Sequence, residues 1–248
     1  RTSVGSLTPH GILAAMRLVT YEIKTALGRH RRLGALVDGQ VLDLNFACAW
    51  KQEALGHPTP YRYADAHVPA TMKAFLEGGK PAMNEARQLL RDVAAAGRPE
   101  GPNEETLLHD LAAVRLLAPV PEPNSMRDFY AFEEHVRTGF AKRNEEIPKP
   151  WYEIPVYYKG NARTMIGPDE ASPWPGYTDQ LDFELELACV IGRACRDVKA
   201  EQALDYVAGY MVMNDLSARD IQRKEMACRL GPAKGKDFAT ALGPALVT

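Results

Sequence analysis

The sequence has no C-x-x-C pair, no internal repeat, no low-complexity tract and no apolar run near the roughly 20 residues needed to span a bilayer. Its four cysteines, Cys48, Cys189, Cys195 and Cys228, are scattered. Scattered thiols in a chain of this size read as reduced residues of a cytoplasmic protein and argue against a thiolate metal centre. An excess of one charge is also missing. The formal net charge is −2 with acids and bases intermixed, which gives no basis for a nucleic acid or membrane partner. The first residues lack a charged segment followed by a sustained apolar one, so no secretory signal is read there.

What is present is 248 residues with 46% hydrophobic side chains, enough for one large domain or two modest ones. A strand-like run opens at Met16, and residues 1–15 are expected to be a leader or a cloning remnant. Residues 33–37 and 40–44 flank Asp38-Gly39, the pattern of a hairpin. Helices are expected at 46–56, 70–77 and 85–96, the last with Ala86, Leu89, Leu90 and Val93 on one face. Residues 97–108 read as a linker, 114–117 as a strand, and the prolines at 119–123 as a boundary. The expectation is α+β: a small N-terminal α+β domain at 16–118 and a chemical domain at 119–248. In the second part strands are expected at 153–158, 181–191 and 209–213, with helices at 200–207 and 216–228. The closing Leu246-Val247-Thr248 looks like a strand without a stop signal, so this domain is expected to be incomplete and cut short.

Residues 181–187 alternate strictly. Leu181, Phe183, Leu185 and Leu187 share one side of a strand, and Asp182, Glu184 and Glu186 the other. Alternate glutamates lie roughly 7 Å apart at their Cα atoms and can converge on one ion. An all-oxygen set suits a hard cation such as Mg²⁺, Mn²⁺ or Ca²⁺. A solvated acidic face gives the same pattern. What favours the ion is Asp215, placed after a second apolar strand with Asn214 available to orient it. Arg219 and Lys236 then follow, as an anionic substrate needs. Asp215 or Ser217 also fits a helix N-cap. Arg219, Gln222 and Arg223 share a helical face, which also fits a plain polar surface.

The segment 231–238, Gly231-Pro232-Ala233-Lys234-Gly235-Lys236-Asp237-Phe238, is not a phosphate loop. Its spacing is one residue short and Asp237 stands where Ser or Thr is needed. It still offers Lys236 as a fixed positive charge. Of six histidines, His135 stands out, in a short helical segment beside Glu133 and Glu134. It fits a general base near neutral pH, or an exposed helix residue.

Asp128 with His135, Tyr158-Lys159-Gly160, Asp182-Phe183-Glu184-Leu185-Glu186, the run from Met213 to Gln222 and Gly235-Lys236-Asp237-Phe238, in this order, resemble the fumarylacetoacetate hydrolase family. The resemblance covers about 119–248, and more loosely the chain from Met16. It implies a mixed β-roll catalytic domain behind a small N-terminal domain, assembled as a homodimer. It implies Glu184, Glu186 and Asp215 as ligands of Mg²⁺, Mn²⁺ or Ca²⁺, and Asp128 as a fourth carboxylate. His135 would activate water. Arg219, Gln222 and Lys236 would stabilise negative charge and hold substrate, and Tyr158 would touch it. There are departures. Arg143 falls one position from an expected substrate arginine, with Asn144 at the aligned site. Glu133 and Glu134 precede His135, which leaves its carboxylate partner open. A Thr-Gly-Thr-Pro-like loop of the family has no counterpart up to Thr248.

The function implied is metal-dependent carbon–carbon hydrolysis of a β-diketo or acylpyruvate-type acid, with a role in aromatic catabolism. A decarboxylase or isomerase of a keto acid on the same site is the enzyme alternative. A non-catalytic protein that binds metal or ligand is the other.

Overall fold

The computed structural model describes residues 15–248. The expected leader lies outside the described residues but for Ala15.

The first strand, β1 (Arg17–Thr25), is buried on both faces from Leu18 to Tyr21, as suits a near-continuous apolar run. It pairs antiparallel with β2 (Gly28–Val37), which turns into β3 (Gln40–Asp43). Asp38 and Gly39 connect them with φ of 45° and 80°, the left-handed pair a two-residue hairpin turn requires. Helices α1 (Leu44–Ala54), α2 (Pro60–His67), α3 (Met72–Glu77) and α4 (Gly79–Ala96) follow. The apolar face expected on α4 is buried, though α4 begins earlier than expected. Helix α2 was not expected: its only buried residue is Ala64, so it carries almost no apolar period. These helices share a core with Leu18, Leu33, Ala35 and Leu42, while Val19, Tyr21, Val41 and Ala245 form a smaller core on the other face.

Short strands β4 (Leu108–Asp110), β5 (Arg115–Leu116) and β6 (Asp128–Phe129) lead to α5 (Glu133–Ala141). The strand expected at 153–158 shrinks to β7 (Tyr157–Tyr158), because Pro155 within it removes a donor and fixes φ. After β8 (Met165–Ile166), the strand expected at 181–191 is broken into β9 (Leu181–Asp182) and β10 (Leu185–Ile191). Residues Ala200–Tyr206 form 3-10 turns rather than an α-helix. Then come β11 (Val207–Asp215), β12 (Ser217–Ala218), α6 (Arg219–Ala227) and β13 (Thr240–Val247). Helix α6 starts three residues later than expected because Ser217 and Ala218 pair with β9.

One nine-stranded sheet has the path β10-β11-β13-β1-β2-β3-β4, with β5 on β1 and β8 on β13. The β1–β13 pairing carries it across residues 118 and 119. Helices and a mainly antiparallel sheet make the fold α+β. Among the described residues no helix is long and apolar enough to cross a membrane.

Strand β10, which bears Glu186, reaches the rest of the sheet through β11 and β13, and Gly209 on β11 is a close point of that contact. A Cβ there would collide with the Val247 carbonyl oxygen. Gly209→Ala is expected to cost about 1–3 kcal/mol by overpacking, read from the urea midpoint at unchanged slope.

Candidate functional site

The carboxylates come together because three short elements end at one place. Strand β11 ends at Asp215, whose N–H donates to the Glu184 carbonyl at 3.1 Å, just where β9 gives way to β10. Asn214 does not orient Asp215: its side-chain oxygen accepts the Glu184 N–H at 3.2 Å. Asp128 pairs with Tyr158 across β6 and β7. The Tyr158 hydroxyl donates to Asp215 Oδ2 at 2.5 Å. One oxygen each from Asp128, Glu186 and Asp215 lies within 4.8 Å of the others. Asp215 is fully buried, and among the described residues its Oδ1 has no hydrogen-bond partner.

The alternation expected through 183–187 is present, with its acidic side facing in. Glu184 and Glu186 face the cluster, while Phe183 and Leu185 are 68% and 78% exposed. A solvated acidic face is therefore not what this strand presents.

Two cations close the other side. The Lys236 ammonium, 3% exposed, lies 2.5 Å from Glu184 Oε2 and 2.6 Å from Asp215 Oδ2. Arg219 Nη1 lies 2.7 Å from Glu184 Oε1 and its Nε 2.8 Å from Asp182 Oδ2. Gln222 accepts from Arg219 Nη1 at 3.0 Å, so the face shared by Arg219 and Gln222 is engaged rather than merely solvated. Both Glu184 oxygens are thus occupied. Of the four expected carboxylates, Asp128, Glu186 and Asp215 converge, and Glu184 binds the cations beside them. Neither Asp215 nor Ser217 caps α6: its N-cap is Ala218, and the Ser217 hydroxyl donates to the Asp215 carbonyl at 3.0 Å.

Burial, then Asp215, pushes the Asp128 carboxyl up to about 6. Burial, then Asp128 and Asp215, pushes Glu186 up to about 8. Burial also opposes ionisation of Glu184, but Lys236 and Arg219 outweigh it and hold that carboxyl below its ordinary value. Burial beside Asp215 raises the Tyr158 phenol and keeps it a donor. Carboxylates that repel one another need protons or a cation between them. The oxygen-only donors and the unpartnered Asp215 Oδ1 fit a hard divalent cation held by Asp128, Glu186 and Asp215.

His135 is not part of this cluster. It is exposed on α5, with its ring edge-on to Tyr130 at 5.9 Å, and among the described residues it has no carboxylate hydrogen bond. Glu133 is held instead by Arg137 at 2.6 Å and the Tyr152 hydroxyl at 3.0 Å, and Glu134 faces Arg137 at 3.6 Å. Arg143 pairs with Glu145 at 2.9 Å. The role of Asp182 as partner of Arg219 was not read from the sequence. Its place two residues before Glu184 was the available signal.

Residues 124–248 match the family described as Fumarylacetoacetate (FAA) hydrolase C-terminal. The chain belongs to the fumarylacetoacetate hydrolase family. It is 33% identical over 202 residues to a fumarylacetoacetase of Oryza sativa subsp. japonica, which spans 72% of this chain and 47% of that protein. It is 31% identical over 234 residues to a Homo sapiens oxaloacetate tautomerase, FAHD2A, mitochondrial, spanning 94% of this chain and 63% of that protein. The chain therefore spans roughly half to three-fifths of these curated relatives. Among solved structures, a fumarylacetoacetate hydrolase of Exiguobacterium antarcticum superposes with TM-score 0.57 at 22% identity, covering 94% of this chain and 66% of that one. A maleylpyruvate hydrolase of Sphingobium sp. SYK-6, in complex with manganese(II) and pyruvate, gives 0.55 at 20%, covering 94% and 67%. At such identities the likeness is one of fold.

Because the Glu186 and Asp128 carboxyls are raised, protonation favours the metal-free fold. That contribution is complete below their ordinary values of 4.5 and 3.8, and is lost as pH rises through about 6 for Asp128 and about 8 for Glu186. Calorimetric melting in chelator should show the melting temperature falling across that window. Added Mn²⁺ should reverse the fall, and Glu186→Gln should abolish most of it along with the response to Mn²⁺. A wild-type profile that is flat in chelator would contradict this account.

Proposed function

We propose that this chain holds one divalent cation through Asp128, Glu186 and Asp215, with Glu184 as the neighbouring fourth carboxylate, and cleaves a carbon–carbon bond in a small β-diketo or acylpyruvate-type acid. The observation that carries this reading is the convergence of three carboxylate oxygens within 4.8 Å, one residue of the three having a buried oxygen without a partner. The rice relative's name and the manganese–pyruvate complex of the maleylpyruvate hydrolase support it. Mg²⁺ or Mn²⁺ is the expected ion, with Ca²⁺ as the third choice.

Bound there, the cation would supply Lewis-acid polarisation of a substrate carbonyl. The remaining work belongs to the side chains. Lys236 and Arg219 hold positive charge in place before any substrate arrives, so no reorganisation is needed when negative charge develops on oxygen. Gln222 and Asp182 keep the Arg219 guanidinium oriented. Tyr158 contributes a hydroxyl beside Asp215, where a bound substrate would meet it. On the cleavage reading, His135, which stands on α5 outside the cluster, would take a proton from the attacking water and return it to the leaving carbon. The new carbon–oxygen bond forms, the carbon–carbon bond breaks, and the leaving carbon keeps the electron pair until it is reprotonated.

A second reading is enol–keto conversion of a keto acid at the same site, which needs no activated water. The exposed position of His135 favours it, as does the name of the human tautomerase, which matches 94% of this chain. Decarboxylation would use the same groups. On either reading we take the protein as a cytoplasmic homodimer with a small N-terminal unit and a β-roll chemical unit. The exposed Leu185 and Leu187 on β10 support a face covered in an assembly.

Calorimetry with Mn²⁺, then oxalate as a dicarbonyl mimic, tests the site. Asp215→Asn is expected to weaken Mn²⁺ by more than the roughly 10–100-fold that loss of an outer-shell group costs. Failure of the wild-type protein to bind Mn²⁺ would overturn the proposal. His135→Ala separates the reactions: it should abolish acylpyruvate cleavage and leave enol–keto conversion of oxaloacetate intact. Cleavage that survives in this variant would remove His135 from the mechanism.

A further inference from the structure

Helix α6 ends in a side chain that neither reading uses. Glu225 Oε1 accepts the Lys234 N–H at 2.8 Å, and its Oε2 accepts those of Ala233 at 3.0 Å and Gly235 at 3.2 Å. Three successive backbone N–H groups aimed at one point make an anion-binding concavity. Here the chain supplies the anion itself, and the next residue is Lys236. The turn is closed further by Lys236 and Asp237, whose N–H groups donate to the Ala233 carbonyl at 2.8 and 2.7 Å. It is tied to β12 by the Ala218 N–H, which donates to the Gly235 carbonyl at 2.8 Å.

A second contact points the same way. Gly235 lies so close to α6 that a Cβ would meet Gln222 Cα at 2.9 Å and its N at 3.0 Å. The 233–236 turn is thus fastened to α6 at both ends, at Gln222 and at Glu225. The same helix presents Arg219 to Glu184. One rigid element then sets the spacing between the two cations that share that carboxylate.

We propose that Glu225 is a positioning residue: by gripping the 233–235 backbone it sets the Lys236 ammonium between Glu184 and Asp215. A lysine head group rides on a flexible four-carbon stem, so its location is defined only as well as its backbone. A glutamine at 225 would keep one acceptor oxygen but turn an NH₂ toward backbone donors and lose the charge-assisted bonds. The inference rests on the reading of Lys236 as a group that holds substrate negative charge.

The test uses the full chain as wild type, Glu225→Gln, Lys236→Met and the double variant. Three quantities are read: amine labelling of Lys236 by acetic anhydride with peptide mapping, Mn²⁺ affinity, and oxalate affinity at saturating Mn²⁺. Glu225→Gln should leave Mn²⁺ affinity near wild type and raise Lys236 labelling relative to the other lysines. It should weaken oxalate about tenfold, below the roughly 100-fold that misplacing a group can cost. In the Lys236→Met background it should cost oxalate nothing further, since groups acting through one another are not additive. Glu225→Asp, which keeps the charge, should restore part of the Lys236 protection. Unchanged labelling, or losses that add in the double variant, would overturn the proposal. If wild type binds no Mn²⁺, the cation reading fails alone and the labelling arm still decides the role of Glu225.

Discussion

The Lys236 ammonium sits almost wholly out of water, and Glu184 and Asp215 are what make that tolerable. Burying a charge costs several kcal/mol after relaxation, and only close, well-formed partners offset it. Those partners come from different elements: Glu184 from the break between β9 and β10, Asp215 from the end of β11. The ammonium therefore pins three chain segments at one point. It also divides the cluster. Asp215 Oδ2 is taken by Lys236 and Tyr158, while among the described residues its Oδ1 has no hydrogen-bond partner. Cations lie on one side and spare carboxylates on the other.

That division constrains the chemistry less than it constrains the site. A place that polarises one carbonyl and holds negative charge on oxygen serves cleavage, decarboxylation and enol–keto conversion alike. What sets cleavage apart is a group that activates water. The candidate stands on α5, a helix with one buried residue, Val136. The relatives named as hydrolase and as tautomerase differ in reaction within one family.

Much of this was legible beforehand, for reasons that differ by residue. The Asp38-Gly39 turn and the buried face of α4 follow from local rules, and both are present. Asp215, Lys236, Glu184 and Glu186 came from a motif, and the structure brings them together from a strand end, a turn and the start of β10. Asn214 was misjudged because its partner is set by cross-strand register, which one strand does not show. The early start expected for α6 failed because β12 is a tertiary pairing with β9. Glu225 carried no signal at all: its partners are backbone amides eight to ten residues away, around a turn whose shape is not written in residue types.

Strand β10 turns Glu186, Ala188 and Val190 inward and leaves Leu185 and Leu187 exposed. A shift of one residue in its pairing with β11 would exchange the two faces, carrying Glu186 out of the cluster and Ala188 and Val190 away from the core they pack against. The present register is held by the Asn214 and Glu184 bond at one end and by Ala188 and Val190 against the core further along. One register thus serves two ends, and the strand cannot slip without losing the acidic cluster and its share of the core together.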